Sequence, residues 1–469
     1  MSSLDDLRTV LDPAAIVTDP QVMAPHLTDW RGKHRGQALA LLRPRSVEEV
    51  SAILRWASAT RTPVVPQGGN TGLSGGATPD ASGEAVVLSL ARLNRIRAID
   101  TAGDTLTAEA GCILADVQQA AAEQDRLFPL SLGSEGSCQI GGVVATNAGG
   151  INVVRYGTVR DLVLSLEYVR ADGVVIQGLK PLRKDNAGYA LKDLVIGSEG
   201  TLAVVTAATF RLFAKPRASA TALCGLASPA DALRLLSLLR QSAGERISSF
   251  ELMCDGEMGL TLDGVPDTAL PLERRHCWYV FIELADSDPG SRVDALLTDA
   301  LAAALERGLL QDAAIAQSEA QARAIWHLRF SVSEANRRAG FSVSHDTSVA
   351  TADVPAFIAA IEMAAERFPE ARALFVGHVG DGNIHVILLF PRETPAEQRA
   401  DLGHAVNAEV FAITRDFGGS ITAEHGIGRS LTDVLIRQAQ PEALELMRAV
   451  KQAFDPLGIL NPGIVLAQR

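Results

Sequence analysis

The spacing of apolar and polar positions changes near residue 217. Before it, short β-prone runs alternate with glycine-rich stretches; after it, strands alternate with long alanine- and leucine-rich segments. Leu39-Ala-Leu-Leu42 reads as a short strand, Ser46-Val-Glu-Glu49 as a capping box opening a helix to about Ala59, and Pro63-Val-Val-Pro66 as the next strand. Leu162 to Val169 and Val174 to Gln177 form two strands around the turn Ala171-Asp-Gly173. Residues 1–36 make a helical lead-in and then an irregular segment with Asp29-Trp30-Arg31. In the second half, helices are predicted over Pro229 to Gln241 and Ser291 to Gly308, and strands over Trp278 to Leu284 and Leu374 to Gly377. The fold class is α+β, with the helices covering one face of an antiparallel sheet.

Phe375-Val-Gly-His-Val-Gly-Asp-Gly-Asn-Ile-His385 places four turn residues, 380–383, between two β-prone runs. The pattern is a hairpin. With its turn centred on Asp381-Gly382, His378 faces His385 across the ladder, and opposed side chains have Cβ atoms about 4.5–5.5 Å apart. Two imidazoles so placed can share a metal ion through bonds of about 2.0–2.1 Å. Glu424, in Ser420-Ile-Thr-Ala-Glu-His-Gly-Ile-Gly428, offers a third ligand, and His425 is a further polar group beside it. The same residues also fit a hairpin with two solvated or hydrogen-bonded histidines.

Three glycine clusters mark the first half. Gln67-Gly-Gly-Asn-Thr-Gly-Leu-Ser-Gly-Gly76 has five glycines in ten residues, so its amides can crowd around an anion. It is neither a Gly-x-Gly-x-x-Gly dinucleotide motif nor a P-loop. The stretch from Pro129 to Gly150 mixes six glycines with hydroxyl and amide side chains, and carries Ile140, Val143 and Val144 in its middle, which a flexible linker would not. It is suited to lie as backbone against a flat polar ligand. Ile196-Gly-Ser-Glu-Gly-Thr-Leu-Ala-Val-Val-Thr206 is a glycine turn feeding a strand.

The composition narrows the function. With 469 residues, 47% apolar and 21% charged, the chain is globular and long enough for two or three domains. A net charge of −12 argues against a nucleic-acid partner. No apolar run approaches the roughly 20 residues of a membrane span. The first residues lack the basic start and apolar run of a signal peptide, so a cytoplasmic location is expected. Five widely spaced cysteines, with no Cys-x-x-Cys pair, read as buried thiols.

Pro66-Gln-Gly-Gly-Asn-Thr-Gly-Leu-Ser-Gly-Gly76, Gly141-Gly-Val-Val-Ala-Thr-Asn-Ala-Gly-Gly150 with Tyr156-Gly157, and Gly197-Ser-Glu-Gly-Thr-Leu202 together resemble the vanillyl-alcohol-oxidase-type flavoproteins. The resemblance implies a two-part FAD-binding domain at 37–216, a substrate and metal domain at 217–430, and a helical segment at 431–469 returning to the flavin, after a lead-in at 1–36. The FAD contacts it implies are Pro66, Gly68, Gly69, Asn70, Thr71, Gly72, Ser74, Gly75 and Gly76 in the first loop. The second stretch supplies Pro129, Gly133, Ser134, Ser137, Gly141, Gly142, Thr146, Asn147, Gly149, Gly150, Tyr156 and Gly157. Glu199, Gly200, Leu202, Val204 and Asn461 complete the set. Some members attach the flavin to a histidine in the first loop; residues 67–76 hold none, so non-covalent FAD is expected.

Within that family the segment Ile325 to Ala335, the histidine hairpin, Ala423 to Gly426 and Pro456-Leu-Gly-Ile-Leu-Asn-Pro-Gly463 resemble the D-2-hydroxy-acid dehydrogenase branch. This branch includes D-lactate dehydrogenase of the cytochrome type, the flavin subunit of glycolate oxidase and D-2-hydroxyglutarate dehydrogenase. The resemblance implies His378, His385 and Glu424 as ligands of a divalent metal, typically zinc. It implies His425 as general base, with Arg329 and Ser333 on the substrate carboxylate; a helix through 325–335 would set these two four residues apart on one face.

Two positions depart from the branch members that take long dicarboxylates. Ser344-His345-Asp346 stands where they carry lysine before a hydroxylic or aromatic residue and Asp, and Ile387 where they carry asparagine two residues after the second histidine. Both changes remove polar groups a second carboxylate could use, which weakens 2-hydroxyglutarate as the substrate and leaves both a lactate-like and a 2-hydroxyglutarate-like acid open. The implied partners are that acid and an electron acceptor, such as an electron-transfer flavoprotein, a cytochrome or a quinone; a homodimer is compatible with the chain. Two other functions stay open on these residues: a non-redox FAD transferase of the alkyl-glycerone-phosphate synthase type, and a metal hydrolase or binding module that leaves the glycine clusters unused.

Overall fold

The computed structural model describes residues 4–467. It divides into two compact units, one of residues 1–149, 157–215 and 424–469, the other of residues 150–156 and 216–423.

In the first unit, apolar residues at helical spacing build the helix Val47–Thr60, which buries Val50, Ile53, Leu54 and Ala57. Ser46 caps it through the Glu49 N–H, and Arg61 ends it in the left-handed region at φ 58°. Ala40–Leu42, Val86–Ser89 and Val64–Gln67 run parallel, with Ile16–Val17 added antiparallel. The free side of Val64 is closed from the far end of the chain: its N–H donates to Ile459 O at 2.8 Å and its carbonyl accepts from Asn461 N at 2.8 Å. A second, five-stranded antiparallel sheet runs in the order Ile96–Asp100, Thr105–Glu109, Ala203–Arg211, Val163–Arg170, Val175–Gln177.

The second unit is built on a seven-stranded antiparallel sheet. Its order is Asp312–Ile315, Ala218–Leu226, Trp278–Asp286, Ile247–Cys254, Arg372–Gly377, Asn383–Phe390, Phe341–Ser348. The expectation of helices on one face only is corrected here. Phe411, on the long helix Ala396–Asp416, packs on His345, whereas Trp326, on Glu319–Phe330, stacks on Phe281. His345 and Phe281 project from opposite faces by the register of the ladders. Both faces are therefore covered, which is why Ile247–Cys254 is buried along its whole length.

Two local readings also change. Residues 319–339 form two helices, Glu319–Phe330 and Val332–Ala339, meeting at Ser331. Cys277 is exposed, while Cys112, Cys138, Cys224 and Cys254 are buried thiols.

Phe250 is 1% exposed at the centre of this core. Phe250→Ala should destabilise the protein by about 3–5 kcal/mol through lost burial and the cavity left behind, read as a lower midpoint of denaturant unfolding.

Candidate active site

The glycines of the first unit fall into two physical classes. A Cβ on Gly69 would lie 2.1 Å from Ser137 O, and one on Gly141 would lie 2.7 Å from Ala110 Cβ, so these glycines let backbone press on backbone. A Cβ on Gly72, Gly133, Gly136 or Gly142 would meet nothing within 4 Å. Along the same motifs, then, some glycines close the scaffold and others border open space, as a cradle for a bound group requires. Gln139 Oε1, Ser198 Oγ and Asn461 Oδ1 are buried without a hydrogen-bond partner among the described residues. A polar, flat cofactor would satisfy such atoms.

The first loop is fastened from both sides. Asn70, at φ 53°, donates through Nδ2 to Thr28 O at 2.8 Å, and Ser74 O accepts from Arg429 N at 2.9 Å. Asn461, at φ 43°, donates to Gly76 O at 2.8 Å and Glu199 O at 2.7 Å. Asn461 thus ties the first and third glycine motifs together. The Glu199 side chain accepts from Ile427 N at 2.7 Å and Gly428 N at 2.8 Å, holding the turn that follows Glu424 and His425. Burial pushes the Glu199 carboxyl up to about 7 against the pull of those two N–H groups. Within the same turn, His425 Nε2 lies 3.5 Å from Glu424 Oε1. Gly150 and Tyr156, expected at the cofactor, belong to the second unit.

In the second unit the two histidines do come together, by a register different from the expected one. Val376, not His378, pairs with His385, and residues 378–382 make a longer connection. The slip is of two residues, so the face is kept. His378 sits diagonally from His385, ring centroids 5.7 Å apart and edge to face.

Two carboxylates that the sequence reading gives no role complete this face. Asp346 pairs with His385 on the ladder, its Oδ1 3.7 Å from His385 Nδ1. It accepts from Asn383 Nδ2 at 3.0 Å, Thr422 Oγ1 at 3.1 Å and Ala423 N at 3.0 Å, which fixes the chain immediately before Glu424. Glu251, 1% exposed, accepts from His378 Nδ1 at 2.6 Å and from Arg329 Nε at 2.9 Å. Burial pushes the Glu251 carboxyl up, yet the His378 imidazole and Arg329 guanidinium outweigh it and hold it below the usual carboxylate range. A signal for Glu251 was present in the sequence: a charge inside the apolar run Phe250 to Cys254 must be paired. Arg329 is buried at the end of its helix, whereas Ser333, in the next helix, is exposed.

The description "FAD binding domain" matches residues 38–178, and "FAD linked oxidases, C-terminal domain" matches residues 215–465. The chain belongs to the FAD-linked oxidase family. It is 38% identical to the mitochondrial D-2-hydroxyglutarate dehydrogenase of Bos taurus, over 98% of this chain and 83% of that one. It is 37% identical to the D-2-hydroxyglutarate dehydrogenase of Xanthomonas citri pv. viticola, over 97% and 95% respectively. The fold is shared with p-cresol methylhydroxylase, at a TM-score of 0.77 and 16% identity, covering 99% of this chain and 96% of that one. An alkyldihydroxyacetonephosphate synthase matches at 0.76 and 18%, covering 98% and 84%. The chain is a flavoprotein oxidoreductase of the 2-hydroxy-acid dehydrogenase type, acting on CH–OH. No helix among the described residues is long and apolar enough to cross a membrane.

Gly142→Leu should abolish FAD binding, seen as loss of the visible flavin absorbance, and leave unfolding of the apoprotein unchanged. Gly141→Ala should instead destabilise the apoprotein by about 1–3 kcal/mol through overpacking. For Glu199, an acid raised from 4.5 to about 7, the folded state binds more protons than the unfolded state between those values. Stability of the wild type relative to Glu199→Gln should therefore fall as pH rises from 4.5 through about 7, and level off above, in denaturant unfolding.

Proposed function

We propose that the chain oxidises a D-2-hydroxy acid to the 2-oxo acid, with non-covalent FAD and one divalent cation, zinc in the simplest case. What carries this reading is the convergence of a buried guanidinium, Arg329, and two imidazoles, His378 and His385, on one face of the second unit's sheet. When bound, FAD would supply a hydride acceptor and the cation a Lewis acid for the hydroxyl.

The residues supply the rest. His378, His385 and Glu424 would hold the cation, as two imidazoles and one carboxylate. His425, an imidazole with a near-neutral reference pKa, takes the hydroxyl proton. Arg329 gives its Nε and one Nη2 hydrogen to Glu251, so its Nη1–Nη2 edge is the one that binds the substrate carboxylate, in bidentate fashion. Ser333 adds a hydroxyl contact from the exposed first turn of its helix.

The relatives' names point to D-2-hydroxyglutarate, while the local row of residues favours a less polar side chain. Beyond Val376, His385 and Asp346, the next row on the same face is Leu374, Ile387 and Ser344. That row offers one hydroxyl and no charge, so a second carboxylate would find no counter-charge there. We infer a lactate-like acid as the preferred substrate, with 2-hydroxyglutarate as the alternative. Electrons leave to an acceptor of the electron-transfer flavoprotein, cytochrome or quinone class.

Anaerobic mixing with D- and L-lactate, D-2-hydroxybutyrate and D-2-hydroxyglutarate, before and after chelation, tests the reading. The D acids should bleach the flavin, D-lactate faster than D-2-hydroxyglutarate, and chelation should abolish bleaching without releasing flavin. Failure of every 2-hydroxy acid to bleach it would overturn the oxidation and favour a non-redox transferase.

A further inference from the structure

Arg329 and His378 come from distant parts of the chain and meet on one carboxylate of the second unit. Glu251 Oε2 accepts from Arg329 Nε at 2.9 Å and lies 2.8 Å from Nη2, while Oε1 lies 2.6 Å from His378 Nδ1. The carboxylate is 1% exposed on the central strand Ile247–Cys254, and the Arg329 side chain is 11% exposed. A buried carboxylate in a low-dielectric setting is tolerated when both oxygens are met by donors, and here both are.

The geometry assigns a double consequence to this arrangement. A carboxylate accepts only, so the proton of neutral His378 must sit on Nδ1, and the lone pair must sit on Nε2. A metal-ligating imidazole is oriented in this way when its other nitrogen donates to a carboxylate. On the other side, the guanidinium is planar and rigid, so fixing its Nε–Nη2 edge fixes the direction of its remaining edge.

We propose that Glu251 is a positioning residue that sets, through its two oxygens, both the tautomer of the metal-ligating His378 and the orientation of the carboxylate-binding Arg329. The proposal rests on the reading above, in which His378 holds a cation and Arg329 the substrate. Glu251 acts through these two side chains, which occupy both of its oxygens.

Glu251→Gln separates the two roles from a merely structural one. The amide has one acceptor, so either its NH2 faces His378 Nδ1 and drives the proton to Nε2, or it faces the guanidinium. The first lowers metal affinity roughly 10–100-fold, measured on the full chain by competition with a chromophoric chelator for zinc. The second raises KM for the 2-hydroxy acid with kcat little changed. Glu251→Gln with wild-type zinc affinity and wild-type KM would overturn the proposal. His378→Ala is the control for the reading beneath it: if that variant keeps full zinc affinity, the metal assignment fails rather than the role of Glu251.

A measurement on the unaltered carboxylate covers a variant that does not fold. The chain has nine histidines, and nitrogen-15 histidine labelling with subtraction of the His378→Ala spectrum isolates one ring. The apoprotein should show His378 as the Nδ1–H tautomer; the Nε2–H tautomer would contradict the proposal.

Discussion

The alternation of side chains along an antiparallel ladder is the constraint on which the second unit's site depends. Residues paired across neighbouring strands share a face, so Glu251, His378, His385 and Asp346 all project to one side although they come from four strands or their ends. The opposite side carries Phe250, Phe375 and His345 and is packed by helices. A slip of one residue in any of these strands would exchange a polar site residue for a core residue, and burial on both faces makes such a slip costly. Rigid placement of the imidazoles is thus a by-product of the force that builds the core.

The first unit solves a different problem, how to bring backbone close to a large ligand without losing shape. Its glycines are divided between those that seat one segment on another, such as Gly69 and Gly141, and those that leave space, such as Gly72 and Gly142. Residues with left-handed backbone, Asn70, Asn147, Glu199 and Asn461, stand at the corners of these segments. Such conformations carry strain and persist where side-chain hydrogen bonds over-determine them. Asn461 and Glu199 show how: one ties two glycine motifs, and the other grips the turn after His425.

Much of this was legible in the sequence because the signals are local. The cap at Ser46, the strand runs and the glycine motifs are each decided by neighbouring residues. The pairing of His378 with His385 follows from an ideal two-residue turn; the structure has a longer connection, in which Gly382 packs under Val349 O, where a Cβ would sit at 2.1 Å. The face survived because the difference is even. The roles of Glu251 and Asp346 were not legible because the partners of a carboxylate in a strand lie tens of residues away. The division of the helix at Ser331 was equally invisible, since both halves continue with helical spacing.

We propose that this sheet face presents two imidazoles to a divalent cation. X-ray absorption at the K edge of the metal in the purified holoprotein reads that shell directly. One metal per chain is expected, bound by two imidazole nitrogens with the remaining ligands oxygen. A protein that carries no metal, or a shell that contains sulfur or lacks imidazole scattering, would contradict it.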